Sequence, residues 1–158
     1  MKLAFSTENI ESASFLELCN KTAEYGFEGF EIYDAIKERN LHYDSILRRD
    51  KVADSKRKLV NRGLSVSALR MPDSIDNASV DADMIVKYID MAATSGISDV
   101  IVHIDNDISF NVLDEKLSAA VKKAENTDIS ILFETVGYLA NTENVIDIIN
   151  HFSSAVIG

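Results

Sequence analysis

The sequence is poor in the residues that crosslink small secreted proteins or interrupt regular structure. Its 158 residues include one cysteine, one proline and six glycines, and tryptophan is absent. A single cysteine, Cys19, excludes an internal disulfide framework and a cysteine-based zinc site. The low proline and glycine content excludes collagen-like chains and flexible linkers. These absences predict one domain over residues 1–158, in a reducing, cytoplasmic compartment.

Positive charge and long apolar runs are also scarce. The chain has 16 basic against 26 acidic residues, a formal net charge of −10 at pH 7. Such a balance disfavours binding to nucleic acids and to anionic membrane surfaces, both of which depend on Lys and Arg. No apolar run approaches the roughly 20 residues of a membrane span. The N-terminal residues turn polar too early for a secretory signal. We therefore expect neither a nucleic acid nor a membrane as partner.

What the chain does have is an alternation of short apolar runs with longer amphipathic segments. The runs are mostly apolar rather than strictly alternating, which is typical of strands covered on both faces in a parallel sheet. The predicted strands are Leu3–Ser6, Phe30–Tyr33, Ser65–Leu69, Asp99–Ile104 and Ile129–Phe133, with a sixth apolar stretch at Ala155–Ile157.

The intervening segments have apolar residues at helical spacing. The predicted stripes are Phe15, Leu18, Cys19, Thr22 and Ala23; Met84, Ile85, Tyr88, Ile89, Ala92 and Ala93; Leu113, Leu117, Ala120, Val121 and Ala124; and Val145, Ile146, Ile149 and Phe152. Gly26, Gly63 and Gly96 each end such a segment shortly before a strand, where a left-handed residue commonly closes a helix. The order is therefore βα, repeated about five times.

Two α/β architectures fit this order, a doubly wound open sheet and part of a (β/α)8 barrel. Length favours the open sheet, because a full barrel needs about 250 residues. However, the turn after the first predicted strand, residues 6–10, has no glycine, unlike a dinucleotide-binding turn. We therefore predict a partial TIM barrel of about five βα units, with parallel strands in sequential order.

Three segments carry a resemblance to a known family. They are Tyr-Gly-Phe-Glu-Gly-Phe-Glu-Ile at 25–32, Val-His-Ile-Asp at 102–105 and Ile-Leu-Phe-Glu-Thr-Val-Gly at 131–137. Their order and spacing resemble the second, fourth and fifth strands of the xylose isomerase-like barrels, which include sugar isomerases, sugar epimerases and endonuclease IV. The resemblance covers the whole chain. It implies the N-terminal part of a longer eight-stranded barrel, and a part that would be inactive alone.

Glu134 is the strongest candidate for chemistry. It follows an apolar run, and in barrels the C-terminal ends of the strands face the active site. The resemblance implies that, in the longer barrel, Glu134 holds a divalent metal, Mn²⁺ or Mg²⁺ with Zn²⁺ as the alternative, which polarises the oxygens of a sugar. A pair of glutamates would then move a proton through an enediol(ate). The alternative for this chain by itself is that it holds no metal. The bland alternative is a water-exposed acid at the end of a strand.

Two further residues are candidates for substrate binding. His103 lies near the end of the fourth strand, where it lines the site or serves as a structural histidine in the barrel wall. Arg70 ends the third strand, where it binds an anionic or hydroxyl-rich substrate or forms a surface salt bridge. Glu31, within the second strand, is predicted to be a structural charge that needs a partner. Asp105 is predicted to lie in a loop.

Three functional hypotheses remain. The first is a metal-dependent isomerase or epimerase acting on a small-molecule sugar or sugar phosphate. The second is a non-catalytic βα module that pairs with itself or with a partner through open sheet edges. The third, an endonuclease-IV-like repair activity, is disfavoured by the net charge and by Arg70, because some relatives in the endonuclease branch have a histidine near that position.

Self-association follows from two expectations about the strands. Open edges pair readily with other chains. In addition, some of Phe5, Val102, Ile131 and Phe133 should point to the inner face of the barrel sector, where they would lack cover. We therefore expect a homodimer or a larger assembly.

Overall fold

The computed structural model describes residues 3–8, 14–35 and 46–158. Five strands are present among these residues: β1 Ala4–Ser6, β2 Gly29–Tyr33, β3 Ser65–Arg70, β4 Asp99–Val102 and β5 Ser130–Phe133. The helices are α1 Phe15–Glu24, α2 Val52–Val60, α3 Ala82–Ser95, α4 Phe110–Thr127 and α5 Thr142–Phe152, with a 3₁₀ turn at Gly137–Ala140. Residues 36–45, between β2 and α2, lie outside the described residues.

The strands form one parallel sheet in the order β1-β2-β3-β4-β5, which confirms the predicted topology. The register is regular except for a shift between Phe30 and Ile32 on β2, opposite β3. The predicted sixth stretch pairs next to β5, where the backbone N–H of Ile131 donates to the carbonyl oxygen of Val156 at 2.7 Å. A parallel bridge also joins Ile131 to Ile157. Sequential order is the arrangement of a barrel, in contrast to a doubly wound sheet.

The two faces of the sheet differ in burial. On β4 and β5, Val100, Val102 and Ile131 are fully buried, whereas their neighbours Ile101 and Leu132 remain partly exposed. Because successive side chains of a strand point to opposite faces, the buried set lies on one face and packs beneath the helices. The other, inner face is only partly covered.

This alternation corrects one expectation about the inner face. Val102, Ile131 and Phe133 share the parity of the fully buried set and belong to the core beneath the helices. Phe5 is partly buried, with its ring centroid 5.1 Å from that of Phe27. The inner face carries the residues of opposite parity, and near the C-terminal edge these are mostly polar.

Capping residues determine where several helices begin and end. Ser14 caps α1, because its hydroxyl accepts a hydrogen bond from the backbone N–H of Glu17 at 3.1 Å. Gly96 closes α3 in the left-handed conformation, with φ 68°. The predicted stripe of α4 is buried throughout. On α5 the prediction is wrong in part, because Ile148 is buried and Ile146 is 50% exposed.

Two sequence-based interpretations of single features can be checked against this fold. Cys19 is fully buried in the core, as expected, and burial raises the pKa of its thiol to about 11. A protonated, inaccessible thiol is unreactive. Within the described part of the chain, none of the helices combines the length and apolar character needed to cross a membrane.

Gly29 allows β2 and β3 to approach closely. A Cβ atom at this position would lie 2.5 Å from the carbonyl oxygen of Ser65, and backbone on both strands would have to shift. We expect Gly29→Ala to lower the free energy of unfolding by about 1–3 kcal/mol, measured by urea denaturation. Ser130→Ala, on the same sheet face, removes only a hydroxyl and serves as the control. Equal stability of Gly29→Ala and wild type would contradict this account.

Candidate functional site

Polar side chains gather at the C-terminal edge of the sheet. Tyr33 is the last residue of β2, Arg70 the last of β3 and paired with Tyr33 in register, and Glu134 directly follows β5. The N–H of Glu134 donates to the carbonyl oxygen of Val102 at 2.8 Å, so the β4–β5 ladder continues to this residue. The strands therefore bring residues that lie far apart in sequence to one edge.

Arg70 and Glu134 are in direct contact. The Nε and Nη2 atoms of Arg70 donate to Oε2 of Glu134 at 3.1 and 2.6 Å. Its third nitrogen, Nη1, donates to Oε2 of Glu8 at 3.1 Å. The guanidinium also lies 5.5 Å from the ring centroid of Tyr33. We call these four residues, Glu8, Tyr33, Arg70 and Glu134, the rim cluster. It joins the ends of β1, β2, β3 and β5.

The charges of the rim cluster keep Arg70 protonated. Partial burial by itself would lower the pKa of Arg70, but the hydrogen bond and charge of Glu134 oppose it. The charges of Glu31 and Glu8 act in the same direction, and the pKa rises above its ordinary value. Glu31 lies on the inner face of β2, directly paired in register with Ser6 of β1. The charge predicted within the second strand is thus partnered electrostatically by Arg70.

His103 is on the same edge and is not joined to Arg70 or Glu134 by any contact found among the described residues. It follows β4, and extension of the β4–β5 register places it opposite Glu134. Its side chain is 13% exposed, and Nε2 lies 3.9 Å from a carboxylate oxygen of Asp105. Its Nδ1 atom is buried and has no hydrogen-bond partner in the described structure. The ring therefore retains hydrogen-bonding capacity at the site edge.

Behind this edge, Asp76 connects the loop after β3 to the loop after β4. Its carboxylate accepts hydrogen bonds from the backbone N–H of Asp105 at 2.9 Å, from Nδ2 of Asn106 at 2.8 Å and from the Ser74 hydroxyl. Burial would raise the pKa of Asp76, but these hydrogen bonds outweigh it and lower the pKa to about 2. Asp105 thus belongs to a loop, as expected, and Asn106 to the same loop.

The sequence analysis missed two members of the rim cluster and the Asp76 link. Glu8 and Tyr33 had a usable signal, since both stand at or just beyond the end of a predicted strand. Asp76 had none, because it lies in a loop whose path depends on the contacts of Ser74 and Asn106 in the folded chain.

The described residues do not by themselves complete the expected divalent metal site. Among them, no three His, Cys, Asp or Glu side chains are grouped so that they could hold a metal ion together. Glu134 has the required oxygen chemistry, but a divalent ion takes four or more ligands. The nearest partner of Glu134 is a guanidinium nitrogen 2.6 Å away, a donor that cannot ligate a cation.

Sequence comparison alone does not assign this chain to a family. No protein-family model matches it. No curated protein matches it either.

Solved structures give clear matches to the fold. A xylose isomerase domain protein from Alicyclobacillus acidocaldarius superimposes with a TM-score of 0.74 at 12% identity, covering 100% of this chain and 62% of that one. The 3-keto-D-glucoside 4-epimerase of E. coli gives 0.74 at 14% identity, with coverages of 99% and 66%. A magnesium complex of a xylose isomerase-like TIM barrel protein from Mycobacterium smegmatis gives 0.70 at 12%, with coverages of 99% and 63%.

At these identities the likeness shows the fold alone. The chain has the fold of part of a xylose isomerase-like TIM barrel, as the three sequence segments predicted. It spans about three fifths of the length of the first of these structures, 62%. Magnesium is a property of the Mycobacterium protein, and keto-glucoside epimerisation is a property of the E. coli enzyme.

The Asp76 link generates a test of loop stability against pH. Because the folded pKa is depressed, its stabilisation is complete above the unfolded pKa and is lost as pH falls through about 2. Asp76→Asn should lower the free energy of unfolding by about 1–2 kcal/mol near pH 6, after allowance for solvent screening. This deficit should shrink towards zero near pH 2, as measured by urea denaturation at each pH. Asp83→Asn, at an exposed aspartate of α3, is the control. A deficit that does not change with pH would contradict the assignment.

Proposed function

We propose that the C-terminal edge of this sheet is the proton-transfer site of an isomerase or epimerase acting on a small sugar. The observation that carries the proposal is the Arg70–Glu134 pair, with Nη2 to Oε2 at 2.6 Å, at the edge where barrels of this fold hold their active sites. The E. coli structural neighbour is named as a sugar epimerase, which supports the reaction class. Glu134 and Arg70 support the same reaction class, because a carboxylate can accept a proton and a guanidinium can stabilise the negative charge that results.

In this proposal Glu134 is the general base. Its carboxylate accepts the proton from the carbon next to the sugar carbonyl, and the electron pair of the broken C–H bond forms the enediolate. Return of this proton by Glu134 to the adjacent carbon, with transfer of the hydroxyl proton to the other oxygen, gives isomerisation. Epimerisation would need a second acid on the opposite face of the enediolate, and the rim cluster does not contain one. Glu134 is half-buried, with its side chain 30% exposed, so a substrate can reach it from the open side of the rim cluster.

Arg70 stabilises the negative charge that develops on the enediolate oxygen. Its guanidinium is always protonated and already points N–H groups at the carboxylate that takes the proton. When Glu134 becomes neutral on accepting the proton, its hold on Arg70 weakens. The same donors are then available to the enediolate. His103, at the end of β4 with Nε2 3.9 Å from a carboxylate oxygen of the exposed Asp105, is assigned to a sugar hydroxyl.

The family resemblance implied that a divalent ion polarises the sugar during proton transfer, whereas this proposal assigns no step of the transfer to such an ion. The described residues offer Glu134 alone at the point of chemistry, and its closest neighbour is Arg70. The proton-transfer steps are therefore written for Glu134 and Arg70, without a metal ion.

Solvent hydrogen exchange tests the proposed chemistry directly. The protein is incubated in D₂O with a panel of ketoses and ketose phosphates, and NMR follows loss of the proton next to the carbonyl. We expect exchange with at least one ketose, because proton abstraction uses only Glu134 and Arg70; the expectation that the chain is inactive alone concerns full turnover. Glu134→Gln should reduce this exchange about 100-fold or more, because general-base catalysis supplies rate factors of this size. Glu28→Gln, at an exposed glutamate just before β2 on the opposite edge of the sheet, should leave the rate unchanged.

Two results would contradict the proposal. One is an absence of exchange with every ketose in the panel by the folded wild-type protein. The other is equal exchange by wild type and Glu134→Gln, which would remove Glu134 from the reaction.

We also propose that the chain self-associates through its strand edges. Within the described residues, β1 pairs with β2 alone and Ile157 bridges to β5 alone. Unpaired strand edges are templates for pairing with another chain. This support is independent of the inner face, whose polar rim does not call for apolar cover.

Light scattering at micromolar concentration tests self-association. We expect a mass at least twice the 17.5 kDa of one chain. Ala4→Lys places a charge on the exposed edge strand and should shift the distribution towards monomer. Ala23→Lys, at an exposed position of helix α1, adds the same charge elsewhere and should not. A monomeric wild-type protein would refute the proposal.

A further inference from the structure

Arg70 occupies the place beside Glu134 where a divalent cation would bind. Two of its nitrogens share one oxygen of that carboxylate, at 3.1 and 2.6 Å. Divalent ions bind carboxylate oxygens at about 2.0–2.6 Å, so an ion on Oε2 would stand next to the guanidinium. A second cation at that distance is strongly repelled in a half-buried site, where charges are poorly screened.

The guanidinium is held in this place from several sides. Nη1 is bound by Glu8 on the loop after β1, and the guanidinium carbon lies 5.5 Å from the Tyr33 ring centroid on β2. The Arg70 side chain is 19% exposed. Arginine does not lose its proton in proteins, so it cannot yield the position by becoming neutral. Only movement of the whole side chain, with loss of both ion pairs, would open it.

We propose that Arg70 is the resident cation of the rim cluster and that it determines whether a divalent metal ion binds at Glu134. With Arg70 in place, the carboxylates of Glu8 and Glu134 are already bridged by one positive charge. Without it, two carboxylates that face a common point lack a cation. The inference concerns metal binding and does not depend on whether Glu134 transfers a proton.

Removal of a polar side chain usually weakens ligand binding at its site, but here we expect the removal of Arg70 to strengthen the binding of a metal ion. Loss of Arg70 should allow a metal ion to bind at Glu134, where we expect no binding in the wild-type protein. Methionine is a suitable replacement, because it keeps an unbranched stem and carries no charge or metal-binding oxygen. Tyr33 provides a local reporter, because energy transfer from tyrosine excites luminescence of a nearby Tb³⁺ ion.

The experiment titrates the whole chain with Tb³⁺ and, separately, with Mn²⁺ followed by electron paramagnetic resonance. Wild type should show no saturable site that depends on Glu134. Arg70→Met should bind one ion per chain at least tenfold more tightly than wild type. Adding Glu134→Gln to that variant should abolish the gain. Arg57→Met, at an exposed arginine of α2 paired with Asp54, removes the same charge far from the rim cluster and should behave as wild type.

The wild-type titration decides the question even if Arg70→Met fails to fold. Saturable Mn²⁺ binding by wild type that is lost in Glu134→Gln would overturn the proposal, because it would show that metal and Arg70 share the carboxylate. A folded Arg70→Met protein with no gain in affinity would overturn it as well. Circular dichroism of each variant separates loss of fold from loss of binding. Because exchange of substrate protons is measured separately, failure here leaves the proton-transfer result readable.

Discussion

Burial of one face of the sheet beneath the helices determines where the functional side chains point. Along a strand, side chains alternate between faces, so a strand that commits Val100 and Val102 to the core must present Ile101 and His103 to the opposite side. Parallel pairing repeats this choice on every neighbouring strand. The polar residues that close the strands are therefore brought to one side and one edge without any contact of their own being needed.

The ion pairs of the rim cluster build on that arrangement. Arg70 ends β3, yet its partners belong to the segments after β1 and β5, which lie on either side of it in the sheet. A long, planar guanidinium can reach both carboxylates at once, whereas a lysine presents a single point charge. The cluster thus ties together strands that do not neighbour one another. The hydrogen bonds of Asp76 hold the loop after β3 to the loop after β4. The edge is therefore stabilised both by the ion pairs of the rim cluster and by these hydrogen bonds.

The fold was predictable because its main determinants are local. Alternating apolar runs and amphipathic segments specified the strands, and glycine at positions such as Gly96 marked the helix ends. The prediction of the buried face was wrong in part for a helix whose own apolar residues are compatible with more than one buried face. On α5, Val145, Ile146, Ile148 and Ile149 permit more than one buried stripe, and packing against the rest of the chain selected Ile148. The expectation that some of Phe5, Val102, Ile131 and Phe133 point to the inner face was wrong for a similar reason, since apolar character does not reveal the face on which a buried strand residue lies. Phe5 pairs in register with the buried Phe30 and shares its face.

By itself, the sequence determined the βα order, the parallel strands and the placement of Arg70, His103 and Glu134 at strand ends. These depend on periodicity and on residue type, which are properties of short segments. Tertiary structure alone decided that Arg70 reaches Glu134 and Glu8, over separations of 64 and 62 residues. It also decided that, within the described part of the chain, His103 is joined to neither Arg70 nor Glu134. The physical reason is that side-chain pairing at an edge depends on register, strand curvature and side-chain reach, and none of these is encoded within one segment. The carboxylates of Glu8 and Glu134 come within hydrogen-bond distance of the Arg70 guanidinium only when the strands are assembled.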